Sequence, residues 1–354
     1  MDDAGEVVTT GTTAARYLGG RAIDVAPVAQ QAPGPGEVRI DVAFTGICGT
    51  DLHILHGDMD QRVTVPAVLG HEMSGRIAEI GPGLNTWSVG DPVTVMPLEW
   101  CGTCPACLAG HQHICQRLIF VGIDSPGAMQ SSWTVPSRIL VRLPDEISLR
   151  DAALVEPTAV AVHDVRRGQL AKGEQVLVVG GGPVGLLVAV VAREAGGEVL
   201  VLEVDAHRRS VITGLGFDVL DPTSDDVPTY LEGWTGGAGV PLAFEVSGSQ
   251  PGLDTAVDAL GVRGRLVVVA IHPQPRPVSL FRLFWRELTV IGARVYERAD
   301  YERAVDLVAA GVVPADALIS AVVPLAGAAD AFVQLESGGG VMKVLIDCRA
   351  SADA

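Results

Sequence analysis

Two patterns of hydrophobic and polar positions divide the chain. From Glu37 to about Leu143 the apolar residues come in short runs cut by glycine and proline, as in VRIDVAFTG, SGRIAEIG, GDPVTVMP and SSWTVP. Such punctuated runs predict the short strands of a β-rich region. Near Glu156 the pattern changes to longer units, opening with QVLVVGGGPVGLLVAVVAREAGG and continuing through EVLVLEVD, VPLAFEVSG and GRLVVVAIH, with helix-like stretches between them. Continuous β-branched runs separated by helices predict a parallel sheet covered on both faces. After about Tyr296 come an amphipathic helical stretch, DYERAVDLVAAG, and a last strand-like segment, GVMKVLIDC. This tail is too short to bury a core of its own and is expected to pack onto one of the larger regions. The expected division is therefore 1–157 with 297–354 as one domain and 158–296 as the other. The polar, Gly/Thr-rich residues 1–12 are expected to be mobile.

A length of 354 residues suits two domains, and 48% apolar with 19% charged residues is the balance of an ordered globular chain. Forty-two acids against 25 Lys and Arg give a formal charge of −17, which removes the basic footprint needed to hold nucleic acid or an anionic membrane surface. Small molecules are the expected partners. The opening residues have neither the basic nor the apolar part of a secretory signal, and no run reaches the roughly 18 apolar residues of a membrane span, so a cytoplasmic protein is expected.

Four of the six cysteines, Cys101, Cys104, Cys107 and Cys115, fall within one short segment with the spacing C-x2-C-x2-C-x7-C. Long-range disulfides are not distributed in this way, whereas four thiolates at short spacing can close a tetrahedron around a structural Zn²⁺. A redox pair would use only two of them, and an iron–sulfur cluster would have no evident task here. The lobe 98–118 is thus a candidate zinc site, with His111 and His113 as solvated loop residues. Cys348 follows an apolar run and is expected to be a buried small hydrophobe.

Gly180, Gly182 and Gly185 form G-x-G-x-x-G between the apolar strand 176–179 and the helical run 186–193. In that context the glycines allow a tight turn, close approach to a pyrophosphate and close helix–strand packing. Glu203 ends the next strand, 18 residues beyond Gly185, where a carboxylate accepts bonds from the adenosine ribose hydroxyls and disfavours a 2′-phosphate. NAD is the expected cofactor, although Arg208 and Arg209 are placed either to stack on adenine or to bind such a phosphate.

Cys48 lies in GICGTDLHILHG, and His71 and Glu72 lie in VLGHEMSG. Singly, each has an ordinary reading in packing or at the surface. Together, one thiolate, one imidazole and nearby carboxylates are the donor set of a catalytic zinc with an open position. Glu156 adds a carboxylate where the β region gives way to the α/β region; its alternative role is that of an acid in the first turn of a helix beside Pro157.

These motifs, C-G-T-D-L-H at 48–53, G-H-E-M-S-G at 70–75, the four-cysteine lobe, V-E-P at 155–157 and GGGPVG at 180–185, occur in an order and context that resemble the zinc-containing medium-chain dehydrogenase/reductase superfamily, over about 13–348. The resemblance implies an α/β protein in which a GroES-like β-rich catalytic domain is joined to a Rossmann coenzyme domain with a doubly wound parallel sheet. It implies NAD on Gly180, Gly182, Pro183, Val184, Gly185, Glu203 and Arg208, a catalytic zinc near Cys48, His71, Glu72 and Glu156, and a structural zinc on the four cysteines. Asp51 would hold the ligand histidine, and Thr50 and His53 would carry the released proton toward solvent. His56 has no role in this scheme and reads as a surface residue; His163 reads as helix packing.

Glutamate in the E-P context is similar to the 2,3-butanediol, polyol and threonine dehydrogenases, and VYERADYERAV at 295–305 leans toward the butanediol pattern. The activity so implied is reversible oxidation of a secondary alcohol to a ketone, in a homotetramer or dimer. Two other readings are a noncatalytic NAD-binding redox sensor, which would need only the glycine loop, and a zinc-free quinone or enoyl reductase, which would not need Cys48, His71 and Glu156.

Overall fold

The computed structural model describes residues 9–338 and 340–349. It divides into two units, one of residues up to Glu156 together with those from Ala304 onward, the other Pro157–Arg303.

The first unit is built on a seven-stranded sheet in the order Leu140–Arg142, Pro92–Val95, Glu72–Ile80, Glu37–Gly46, Lys343–Asp347 and Ile319–Pro324, with Ser132–Pro136 also paired to Glu37–Gly46. Glu37–Gly46 begins as an alternating strand, with Val38 and Ile40 turned inward and Asp41 exposed, and it is buried on both faces from Val42 onward. There the tail strand runs antiparallel to it, pairing Leu345 with Gly46 and Asp347 with Phe44. Val344, Leu345 and Ile346 are fully buried. This insertion shows where the C-terminal segment packs: it fills the sheet of the β-rich unit between two strands.

Smaller sheets of three strands (Ala22–Gln30, Thr9–Gly19, Ala67–Val68) and two (Leu98–Glu99, Ile119–Phe120) complete the described strands of this unit. Of the segment 1–12 expected to be mobile, residues 1–8 lie outside the described residues. Thr9–Thr12, by contrast, already belong to a strand, because Thr9 and Thr12 pair with Gln30 and Val28 and the Thr12 hydroxyl meets that of Ser131 at 2.8 Å.

The second unit carries six strands, all parallel, in the order Asp218–Leu220, Glu198–Leu202, Gln175–Val179, Val240–Glu245, Leu260–Val268 and Thr289–Gly292. In chain order this is 3-2-1-4-5-6, so the direction of winding reverses at Gln175–Val179, and in sheets wound this way ligands bind outside the carboxyl ends of the strands at such a reversal. Helix Pro183–Glu194 is buried continuously from Gly185 to Ala192, which explains its nearly unbroken apolar sequence. Leu177, Leu200, Ala243 and Leu266 from neighbouring strands pack with Leu253, Ala256 and Val257 of helix Gln250–Ala259. Continuous hydrophobic strands therefore do form the two-sided parallel sheet that their sequences predict.

Candidate metal and cofactor sites

One short helix, Gly49–Leu55, organises the first site. Cys48 is its N-cap, and the buried Asp51 at the third position accepts the Cys48 backbone N–H at 2.9 Å through Oδ2. The other Asp51 oxygen faces His71 Nδ1 at 3.8 Å, and neither of these buried atoms has a hydrogen-bond partner among the described residues. His71 is held edge-on against Phe120, with ring centroids 5.2 Å apart. Donor atoms of Cys48, His71 and Glu72 lie within 4.8 Å of one another.

Charge in this pocket is arranged for a cation. Burial, the largest influence on His71, favours its neutral form, yet Asp51, Cys48 and Glu156 outweigh it and hold the imidazole well above its ordinary range. Burial likewise pushes the Asp51 carboxyl up. A cluster of anions that pulls a proton onto a buried imidazole offers the same field to a divalent ion, and the Cys/His/carboxylate donors suit zinc.

Lys343 is a partner that sequence reasoning missed. It is 3% exposed, and its Nζ donates to both Glu72 oxygens, at 2.7 and 2.6 Å, and to the Ile47 carbonyl at 3.2 Å. Burial, again the largest influence, favours a neutral amine, but Glu72, Cys48 and Glu156 together raise its pKa. Its only cue in the sequence is a lone cation inside the apolar run VMKVLID. Glu156 is buried in the first turn of helix Val155–Arg167; it acts electrostatically on His71 and Lys343 but is not within the close group of three donors.

Thr50 Oγ1 lies 3.8 Å from Cys48 Sγ, and His53 follows one turn later on the same helix. His53 Nδ1 meets Asp58 Oδ2 at 2.9 Å, whereas His56 is paired through Nε2 with Glu336.

The four lobe cysteines converge as a second group, with Sγ separations of 3.5 Å (Cys101 to Cys115), 3.8 Å (Cys104 to Cys115) and 4.0 Å (Cys101 to Cys107). Thiolates about 2.3 Å from a tetrahedral Zn²⁺ stand about 3.8 Å apart, so the cage fits that ion. Backbone N–H groups of Cys101 and Arg117 point at Cys115 Sγ and that of Thr103 at Cys101 Sγ. With Thr103 as the main cause, the Cys101 thiol is lowered to about 5, while burial pushes Cys107 up to about 12. His111 and His113 are not in the group. Cys348 is buried, and burial pushes its thiol up. His163 is buried in the second unit, its Nδ1 2.8 Å from Asp300 Oδ2.

In the second unit the glycine loop sits at the reversal of winding. Gly180 has φ +104°, and a Cβ there would lie 2.9 Å from the Ser247 backbone nitrogen; one on Gly185 would lie 1.8 Å from the Gly180 carbonyl oxygen. Beside Gly182, which caps helix Pro183–Glu194 with Val184 in its first turn, the nearest atom to such a Cβ is Arg208 Nη1 at 3.5 Å. A glycine-capped helix N-terminus whose nearest neighbour at that position is a guanidinium fits a dinucleotide pyrophosphate. Glu203 is braced, accepting the backbone N–H of Gly181 at 2.7 Å and of Asp205 at 2.8 Å. The two arginines separate: Arg209 donates to the carbonyls of Glu203 and Val204 and pairs with Asp221, so it holds the turn together, while Arg208 overhangs the loop.

The fold, the cation-seeking pocket and the glycine loop define a zinc-binding alcohol dehydrogenase. The chain matches the alcohol dehydrogenase GroES-like domain over residues 34–145 and the zinc-binding dehydrogenase family over 183–310, and it belongs to the zinc medium-chain dehydrogenases of the polyol-dehydrogenase group. It is 49% identical over 337 residues to a 2-dehydro-3-deoxy-L-galactonate 5-dehydrogenase of Pseudoalteromonas atlantica, covering 95% of this chain and 99% of that one. Among solved structures it is similar to the 2R,3R-butanediol dehydrogenase of Bacillus subtilis (TM-score 0.88, 30% identity, 96% of this chain and 100% of that one). A zinc-binding dehydrogenase of Sinorhizobium meliloti bound to NADP is equally close (TM-score 0.89, 30% identity, 96% and 100%). The chain is an oxidoreductase that converts a secondary alcohol to a ketone. Among the described residues no helix is long and apolar enough to cross a membrane.

Proposed function

We propose that this dehydrogenase oxidises a secondary hydroxyl of a deoxy sugar acid with NAD⁺, using one catalytic and one structural zinc per chain. The 49% identity to the 2-dehydro-3-deoxy-L-galactonate 5-dehydrogenase, spanning nearly the whole of both chains, supports the substrate class. Cys48 and His71 would hold the catalytic metal with a carboxylate. Lys343 occupies both oxygens of Glu72, which favours Glu156 as the acid that completes the set. Asp51 at the Nδ1 edge of His71 orients that ring, leaving Nε2 for the metal. Zinc, when bound, supplies the Lewis acidity that makes an alcohol hydroxyl acidic near neutral pH, and the oxidised nicotinamide supplies the hydride acceptor. Thr50 takes the hydroxyl proton toward His53, whose half-exposed ring passes it to water.

Glu203 favours NAD, because its braced carboxylate would repel a 2′-phosphate. Cys101, Cys104, Cys107 and Cys115 hold the structural ion, and a cluster of reduced thiols suits a cytoplasmic setting. A homo-oligomer, dimer or tetramer, is supported by the exposed side chains of Leu280, Phe281, Phe284 and Trp285 on the helix Leu280–Arg286, which ends three positions before the edge strand Thr289–Gly292.

The test is a rate screen of the zinc-replete protein with NAD⁺ and NADP⁺. The panel holds the 2-dehydro-3-deoxy-L-galactonate pair, 2,3-butanediol isomers, sorbitol, xylitol and threonine. The sugar acid with NAD⁺ should lead by about tenfold or more in kcat/KM, a difference of about 1.4 kcal/mol. A diol that matched or exceeded it would overturn the substrate class.

A further inference from the structure

The end of helix Gly49–Leu55 does more than stop it. His56 is the C-cap and Gly57 follows with φ +84°. The chain then folds back so that the Gly57 N–H donates to the Ile54 carbonyl at 2.9 Å and the Asp58 N–H to the His53 carbonyl at 3.0 Å. This pair of bonds is the Schellman closure, in which the second residue past the cap is set over the residue three before the helix end. Here those two residues are Asp58 and His53. The closure brings Asp58 Oδ2 to 2.9 Å from His53 Nδ1, so Asp58 grips residue 53 by backbone and by side chain at once.

A carboxylate has only lone pairs to offer, so the bond requires the proton of a neutral His53 ring to be on Nδ1 and leaves the Nε2 lone pair available. The neighbouring ionisable groups are engaged elsewhere. Asp60 accepts the Tyr17 hydroxyl at 3.0 Å, and Glu336 takes both His56 and Arg21.

We propose that Asp58 is a positioning residue for the proton relay: it fixes His53 in the Nδ1–H form, so that Nε2 receives the proton released by the alcohol and passes it to water. No electrons move in this step; Nε2 gains a proton from the Thr50 side and returns one to solvent. The inference rests on His53 as the relay base. With side chains 38% and 48% exposed, the pair is screened by water, and its effect should be about 2- to 5-fold.

The experiment compares wild type, Asp58→Asn, Asp58→Ala, His53→Gln and the double variant His53→Gln/Asp58→Ala as zinc-replete holoenzymes. It reads the single-turnover rate of NADH formation between about pH 6 and 10 with the preferred alcohol of the panel. His53→Gln should be slow at pH 6 to 7 and recover at high pH, where hydroxide takes the proton. Asp58→Ala should lose about 2- to 5-fold at pH 6 to 7 with little change in KM, and the deficit should close by about pH 10. Asp58→Asn, which keeps an acceptor oxygen, should fall between it and wild type. In the His53→Gln background the Asp58 change should cost nothing further. A loss independent of pH, or one that persists in full without His53, would make Asp58 merely structural and overturn the proposal. Wild-type rates in both Asp58 variants beside a slow His53→Gln would also overturn it while leaving the relay intact. A His53→Gln profile parallel to wild type would remove the relay itself.

Discussion

The four-thiol lobe and the Cys48–His71–Glu72 pocket are built by opposite means. The lobe takes all its donors from positions 101–115 and supports them with backbone N–H groups of the same loop. The pocket draws on residues 48, 51, 71, 72, 156 and 343, and its supports are buried charges from different elements. A local cage depends on its metal for shape, because so short a loop has little core of its own. An assembled pocket is held by the sheet around it and depends on its metal for chemistry.

That difference gives the largest expected effect. Cys48→Ala or His71→Ala should lower kcat/KM by about 10³-fold or more, roughly 4 kcal/mol of lost transition-state stabilisation. Zinc should fall by one per chain, with only a small change in melting temperature. Cys104→Ala should also lose one zinc, but the main effect should be a fall in melting temperature, with much of the activity kept by molecules that remain folded. Zinc analysis, calorimetry and rates on the same samples decide it. An inactive but fully stable Cys104→Ala, or an unstable Cys48→Ala, would reverse the contrast.

Next comes the buried pair that the lobe lacks. Lys343→Met strands the Glu72 carboxylate, and breaking a buried ion pair on one side costs about 3–5 kcal/mol. Adding Glu72→Gln should restore much of that loss in urea unfolding. Equal instability of the single and double variants would show that Lys343 matters through packing alone.

The same contrast explains what the sequence reveals. The lobe and the glycine loop are legible because their chemistry lies in short spacings: four cysteines in one segment, and three glycines between a strand and a helix. Cys48, His71 and Thr50 become legible through the family motifs around them. Lys343 and Asp58 do not. The Lys343 partner is 271 positions away across a sheet, and the contact of Asp58 depends on a helix closure rather than on a spacing associated with catalysis. The same limit applies to Arg208 and Arg209, adjacent in sequence but separated in task by which carbonyls the turn presents.

At the cofactor loop the expected effect is a change of preference. Glu203→Ala with Val204→Arg replaces a braced carboxylate with a cation at an exposed neighbour, and the NAD over NADP ratio of kcat/KM should fall by about 10²-fold. A ratio unchanged in this variant would place the ribose contact elsewhere.

The smallest effect concerns Asp164, a buried acid whose oxygens lack a hydrogen-bond partner among the described residues, whereas Glu72 has Lys343. Burial, with a lesser push from Asp300, raises the Asp164 pKa well above its ordinary value, so the folded protein binds a proton there that the unfolded chain gives up. By linkage this contribution to stability is fully present below the unfolded value of about 3.9 and is lost as pH rises toward the folded one. Asp164→Asn, neutral at every pH in this range, should remove that slope and add about 1–2 kcal/mol near pH 7. Unfolding free energies measured from about pH 4.5 to 8 would show it as two curves that diverge with rising pH. Parallel curves would mean that Asp164 is ionised and solvated in the folded protein.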